Sequence, residues 1–237
     1  MRIAILALAS AASTQASILT FQVNSSLSGE PVNAAVAIEL TANRISLNAE
    51  NFAANPTSVK SVLTSIEFTL SGGTFSDGAF SSSAILRTIA KGGTYTDSVL
   101  TKTDWIYART GNTILLSWNA GSGPDHGIIG PAGPKGTYSS SKGSIAGNAP
   151  HNPFIAEEAN FLIELKGASV YTGISDVKLG FNTTGTDLFT ATCTTSGGCL
   201  PPSIPPSGVP EPSTYLLLGS GLTAVLGWNR YRTMKNR

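Results

Sequence analysis

The chain has 237 residues, only 12% of them charged, with 15 basic and 14 acidic residues for a formal net charge of +1. Setting aside Arg2 and the four basic residues near the C-terminus leaves ten basic against 14 acidic, so the central part sits near −4 and holds no basic run. That excludes an electrostatic footprint for nucleic acid, while the length allows one domain with a real core.

The chain opens "MRIAILALASAASTQASILTF". Arg2 precedes a short apolar run, Ile3 to Ala9, and small residues follow up to Thr14-Gln15-Ala16. This pattern predicts a secretory signal peptide over residues 1–16, cut after Ala16, with the mature chain starting at Ser17. No Arg-Arg pair is present, which favours the general secretion route over the twin-arginine route.

From residue 17 to about 200, short alternating runs are separated by Gly, Asn, Asp and Pro. Val36–Leu40 and Arg44–Glu50 alternate on either side of a short break and predict a β-hairpin. In "NPTSVKSVL" (55–63), Thr57 or Ser58 can cap a single helical turn. Strands are predicted at Thr64–Gly73, Trp105–Arg109, Thr113–Trp118, Asn160–Gly167 and Ile174–Thr183. The Gly-, Ser- and Pro-rich stretch 121–150 reads as a long loop with a short strand near Ile128. No amphipathic helical pattern exceeds about ten residues. The expected fold class is therefore all-β, a jelly-roll-like β-sandwich over residues 17–200.

Cys193 and Cys199, in "TCTTSGGCL", are the only cysteines, and an exported chain meets oxidising conditions, so a disulfide is expected. No metal or other cofactor is expected. His126 and His151 are the only histidines; they read as a loop residue and as a partner of neighbouring backbone. No G-x-S-x-G elbow accompanies them, and no enzyme activity is expected. Glu157 and Glu158 are adjacent, so a regular strand would send them to opposite faces. Asp77, Asp97, Asp104 and Asp125 lie in turn-like contexts without the spacing of a calcium loop. Asn24 and Asn182 head the sequon-like triplets Asn-Ser-Ser and Asn-Thr-Thr. Trp105, Tyr107 and Trp118 could face a sugar, giving a lectin-like polysaccharide-binding alternative, although aromatics at strand spacing are more often core.

The C-terminal part divides into three. "LPPSIPPSGVPEP" (200–212) is a proline-rich spacer, extended at about 3 Å per residue; the linker spans 201–213, from Pro201 to Ser213. Residues 214–229 form an apolar segment, uncharged from Tyr215 to Trp228. As a helix that stretch would be roughly 21 Å long against a hydrocarbon core of about 30 Å, a marginal transmembrane span. Residues 230–237 form a tail with Arg230, Arg232, Lys235 and Arg237 and no acid. The positive-inside rule places that tail in the cytoplasm and the domain outside.

Val209, Pro210, Glu211, Pro212 and Ser213, then the apolar run, then the basic end resemble the PEP-CTERM sorting signal of Gram-negative bacteria. The resemblance implies recognition by an exosortase, a membrane-embedded transpeptidase-like cysteine protease, and transient residence in the inner membrane. It also implies delivery to the cell surface or to an exopolysaccharide matrix, as in a biofilm. The two prolines lack N–H donors and fix φ, which keeps the motif extended. "NPTSVKSVLTSIEFTLSG", "GSIAGNAPHNPFIAEEANFLIEL" and "ISDVKLGFNTTGTD" further resemble the ectodomains of one group of PEP-CTERM proteins. Leu179 and Asn182 stand where that group commonly has an aromatic and a glycine. The group has no assigned catalytic activity, so no catalytic residues carry over.

Overall fold

Period-two burial builds the first three strands. In the computed structural model, which describes residues 17–41, 43–118, 126–139, 143–148, 151–167 and 173–195, β1 (Ser17–Leu27), β2 (Glu30–Thr41) and β3 (Arg44–Asn51) form an antiparallel meander. Leu19, Phe21 and Val23, then Val32, Ala34, Val36 and Ile38, then Ile45, Leu47 and Ala49 are all buried. Alternate side chains of a strand share one face, so this one set of residues becomes one wall of the core. Ser28 and Gly29 join β1 to β2 with φ of 52° and 82°, the left-handed pair that a two-residue hairpin turn needs. The hairpin expected at 36–50 is present, with Thr41 opposite Arg44.

The single helical turn also forms where its chemistry placed it. It is a 3-10 turn at Val59–Ser61, and the Ser58 side chain accepts from the Lys60 N–H. The chain then runs through β4 (Leu63–Ser71), β5 (Ser76–Ile89), β6 (Tyr95–Lys102), β7 (Ile106–Thr110), β8 (Thr113–Ser117), β9 (Ile128–Ile129), β10 (Phe154–Lys166), β11 (Gly173–Phe181), β12 (Asp187–Thr190) and β13 (Thr192–Cys193). The described residues are thus all-β apart from one turn. β5, the longest of these strands at 14 residues, has no counterpart in the sequence reading, because Ser, Gly and Ala carry no clear apolar alternation. It is held as a strand by its neighbours, β10 on one edge and β6 on the other.

Hydrogen bonding runs in two series, β6-β5-β10-β3-β2-β1-β13 and β7-β8-β4-β11-β12, and β9 links them. Ile128 of β9 is opposite Ile155 in a parallel pairing with β10 and opposite Leu63 of β4. Both series feed one apolar core, with Phe68, Ile114, Leu116, Leu179 and Phe181 from the shorter and the β1–β3 residues from the longer. Phe80 of β5 stacks on Tyr107 of β7 with centroids 5.9 Å apart, and on Phe161 of β10 at 6.5 Å. A second apolar cluster lies under the Gly- and Pro-rich stretch, where Tyr138 and Ile145 pack with Val62, Ile89, Ile129 and Phe154.

Regular alternation breaks inside β10, where the adjacent Glu157 and Glu158 are both exposed. Glu157 has φ of 66°, and the register with β5 shifts between Ile155 and Ala159. A bulge interrupts the alternation and re-aims the side chains around it. The signal peptide (1–16), the linker (201–213), the span expected at 214–229 and the tail (230–237) lie outside the described residues. Among the described residues no helix is long and apolar enough to cross a membrane.

Candidate functional site

The most concentrated charge chemistry in the described domain surrounds Arg87, a residue that the sequence does not single out. Arg87 stands on β5 directly opposite Asp97 on β6 and Phe154 on β10. Its Nε and one terminal nitrogen each lie 2.8 Å from an Asp97 carboxylate oxygen, a bidentate pair. The other terminal nitrogen donates to Glu157 Oε1 at 2.8 Å and to the Tyr138 hydroxyl at 2.9 Å. Tyr138 in turn donates to the Gly130 carbonyl at 2.8 Å. The guanidinium also sits 4.0 Å from the Tyr95 ring centroid.

Burial opposes the Arg87 charge, but the hydrogen bonds to Asp97, Tyr138 and Glu157 outweigh it and hold the pKa above the ordinary arginine value. Burial likewise pushes the Tyr138 hydroxyl up to about 12, against the opposing influence of Arg87. The cluster remains fully ionised at Arg87 and neutral at Tyr138 across physiological pH. It pins β5, β6, the β10 bulge and the chain after β9 to one point. Its chemistry is that of a structural clasp.

The residues singled out by sequence scatter. His126 gives its carbonyl to the Trp105 indole N–H at 2.7 Å, and its Nδ1 lies 3.5 Å from Asp104 Oδ2. His151 donates its backbone N–H to the Asn148 carbonyl, and its ring stacks on Trp118 at 6.4 Å. Trp105 and Trp118 are each only 4% exposed and belong to the core, and Tyr107 packs half-buried against it. Trp105 and Trp118 are thus covered core rings, and neither offers a face on which a sugar could stack. Asp77 is engaged by Arg109 at 2.7 Å and by the Tyr107 hydroxyl at 2.7 Å, as Asp97 is by Arg87. Asp125 lies outside the described residues. Among the described residues, no three His, Cys, Asp or Glu side chains converge as a metal would require.

At the C-terminal edge of the domain, β13 pairs with β1 through Phe21 opposite Cys193 and Gln22 opposite Thr192. The Thr194 N–H donates to the Thr20 carbonyl at 2.9 Å, and the Thr20 N–H to Thr195 Oγ1 at 2.7 Å. The start of β1 and the exit toward the linker are thus held side by side. Cys193 is disulfide-bonded; Cys199 lies outside the described residues. So do Val209, Pro210, Glu211, Pro212, Ser213, Arg230, Arg232, Lys235 and Arg237.

Residues 208–230 match the family model of the PEP-CTERM protein-sorting motif. The chain carries a PEP-CTERM sorting signal. The match spans the Pro-Glu-Pro tripeptide, the apolar run and the first basic residue, Arg230, so all three parts occur in the expected order. A PEP-CTERM signal implies an exported chain and an exosortase as its sorting partner. No curated protein matches the chain.

Proposed function

We propose that this PEP-CTERM protein is a non-enzymatic component of the cell surface or extracellular matrix of a Gram-negative bacterium. After export, the C-terminal segment holds the precursor in the inner membrane. An exosortase cuts near Pro210–Pro212, and the β-rich ectodomain, read as a jelly-roll-like sandwich, passes to the exopolysaccharide matrix. The observation that carries this reading is the motif at 208–230 placed behind an all-β domain. The physical logic supports it: a segment roughly 21 Å long is a poor permanent anchor in a core of about 30 Å but an adequate temporary one.

Mass spectrometry of the surface-associated protein tests the reading. The expected mature form starts at Ser17 and lacks the apolar segment and basic tail. Recovery of intact "GWNRYRTMKNR" peptides from that fraction overturns the processing step.

A further inference from the structure

The outward face of β1–β3 contains a trough of about 380 Å³ that no side chain of the described residues fills. Its floor is Ala35 and Ala37 of β2. The register places Thr20 and Asn48 on either side of Ala37, and Gln22 and Glu50 on either side of Ala35. Directly opposed side chains stand about 5 Å apart, so the four longer residues rise as two walls above two methyl groups. Alanine is a poor strand former because it packs little on a half-covered face. Two alanines at successive outward positions of a strand paired on both sides cut a channel across the sheet.

The wall chemistry identifies a class of occupant. Gln22 Nε2 lies 3.4 Å from Asn33 Oδ1, and Asn48 Nδ2 donates to Asn160 Oδ1 at 3.1 Å. These contacts leave the side-chain carbonyl oxygens of Gln22 and Asn48 and the amide N–H groups of Asn33 without a side-chain partner among the described residues. Neutral donors and acceptors in alternation suit hydroxyl groups, which both donate and accept. Phe52, 43% exposed, lines the same trough and offers a ring to the C–H face of a pyranose. No Lys or Arg lines the trough, whereas Glu50 does, and Glu158 stands opposite it on β10. An anionic ligand would meet two uncompensated carboxylates. A peptide strand is disfavoured as well, because the backbones of β1, β2 and β3 are already paired to each other and leave no ladder to extend.

We propose that this trough binds a neutral polysaccharide chain. The proposal deepens the matrix reading above, since it rests on that reading for where the ligand is met, but the binding itself needs no sorting. The test is native affinity electrophoresis of the full chain, purified in detergent, in gels containing galactomannan, glucomannan, dextran or alginate. At least one of the three neutral polysaccharides is expected to retard the protein, and alginate is not. Ala35→Lys, which fills the channel, and Asn48→Ala, which removes a wall amide, should each weaken the apparent affinity at least tenfold. Val99→Lys, on the exposed edge strand β6, should change nothing.

Urea midpoints show that each variant is folded; should Ala35→Lys fail to fold, Asn48→Ala decides. The proposal is overturned if no neutral polysaccharide retards the wild-type chain, if alginate binds as well as or better than the neutral ones, or if the folded wall variants bind like wild type. Each of these results leaves the mass-spectrometric test of processing untouched, so the two readings fail separately.

Discussion

Replacing Arg87 by alanine should be among the most destabilising single changes in the described domain. The substitution removes four hydrogen bonds of 2.8–2.9 Å, two to Asp97 and one each to Glu157 and Tyr138. It also removes the stack over Tyr95. Breaking a buried ion pair costs about 3–5 kcal/mol, because the abandoned partners stay desolvated. Here the arginine side chain is 7% exposed, but Asp97 and Glu157 are 34% and 48% exposed and can be rehydrated. Solvent screening discounts the carboxylate side, which puts the loss at the lower end, about 3 kcal/mol. For a domain of this size that lowers Tm by roughly 6–12 °C. Arg87→Lys keeps the charge but has one nitrogen where the guanidinium presents three, so it should recover roughly half of the loss. Urea unfolding followed by the fluorescence of buried Trp105 and Trp118 measures both. An Arg87→Ala midpoint equivalent to a loss under about 0.5 kcal/mol, or an Arg87→Lys variant as stable as wild type, would refute the clasp.

Three further outcomes follow from the same geometry. The folded state holds the Tyr138 proton up to about 12, against 10.0 ordinarily, so it outlasts the unfolded chain in keeping it; this contribution is complete below pH 10 and disappears as pH rises through 12. Tyr138→Phe should therefore show a shallower alkaline loss of stability than wild type between those values, by up to about 2–3 kcal/mol, and identical slopes in alkaline urea titrations would contradict it. Gly93 has φ of 85°, and a β-carbon there would overlap the Tyr138 carbonyl oxygen; Gly93→Ala should cost about 2–4 kcal/mol from left-handed strain and overpacking, and an unchanged urea midpoint would count against that packing. Cys193→Ser should cost about 2 kcal/mol, the loop-closure value for a bond to Cys199, and peptide mapping of the oxidised chain that fails to join the two cysteines would remove its basis.

Legibility in the sequence tracked how local each feature is. β2 and β3 could be read because one face is buried and the other wet, so Val36, Ile38, Ile45 and Leu47 announce themselves by spacing. The Ser58 cap was equally local, a hydroxyl two residues from the N–H it receives. β5 escaped because "SDGAFSSS" has no apolar rhythm; only pairing with β10 and β6 makes it a strand. The Glu157 bulge escaped because it depends on register against β5. Arg87 was invisible for the same reason: its partners come from positions 97, 138 and 157, and no motif links them.

The PEP-CTERM signal and the all-β class are properties of the sequence by itself. A sorting signal is a contiguous stretch of sequence, and strand class follows from a two-residue repeat, so neither needs distant residues to be in place. Which strands neighbour which, which aromatics are covered, and where an alanine floor meets amide walls were decided by tertiary structure alone. Those features arise from pairings between residues up to about 170 positions apart, whose register is set by the burial of the whole core and not by any one segment.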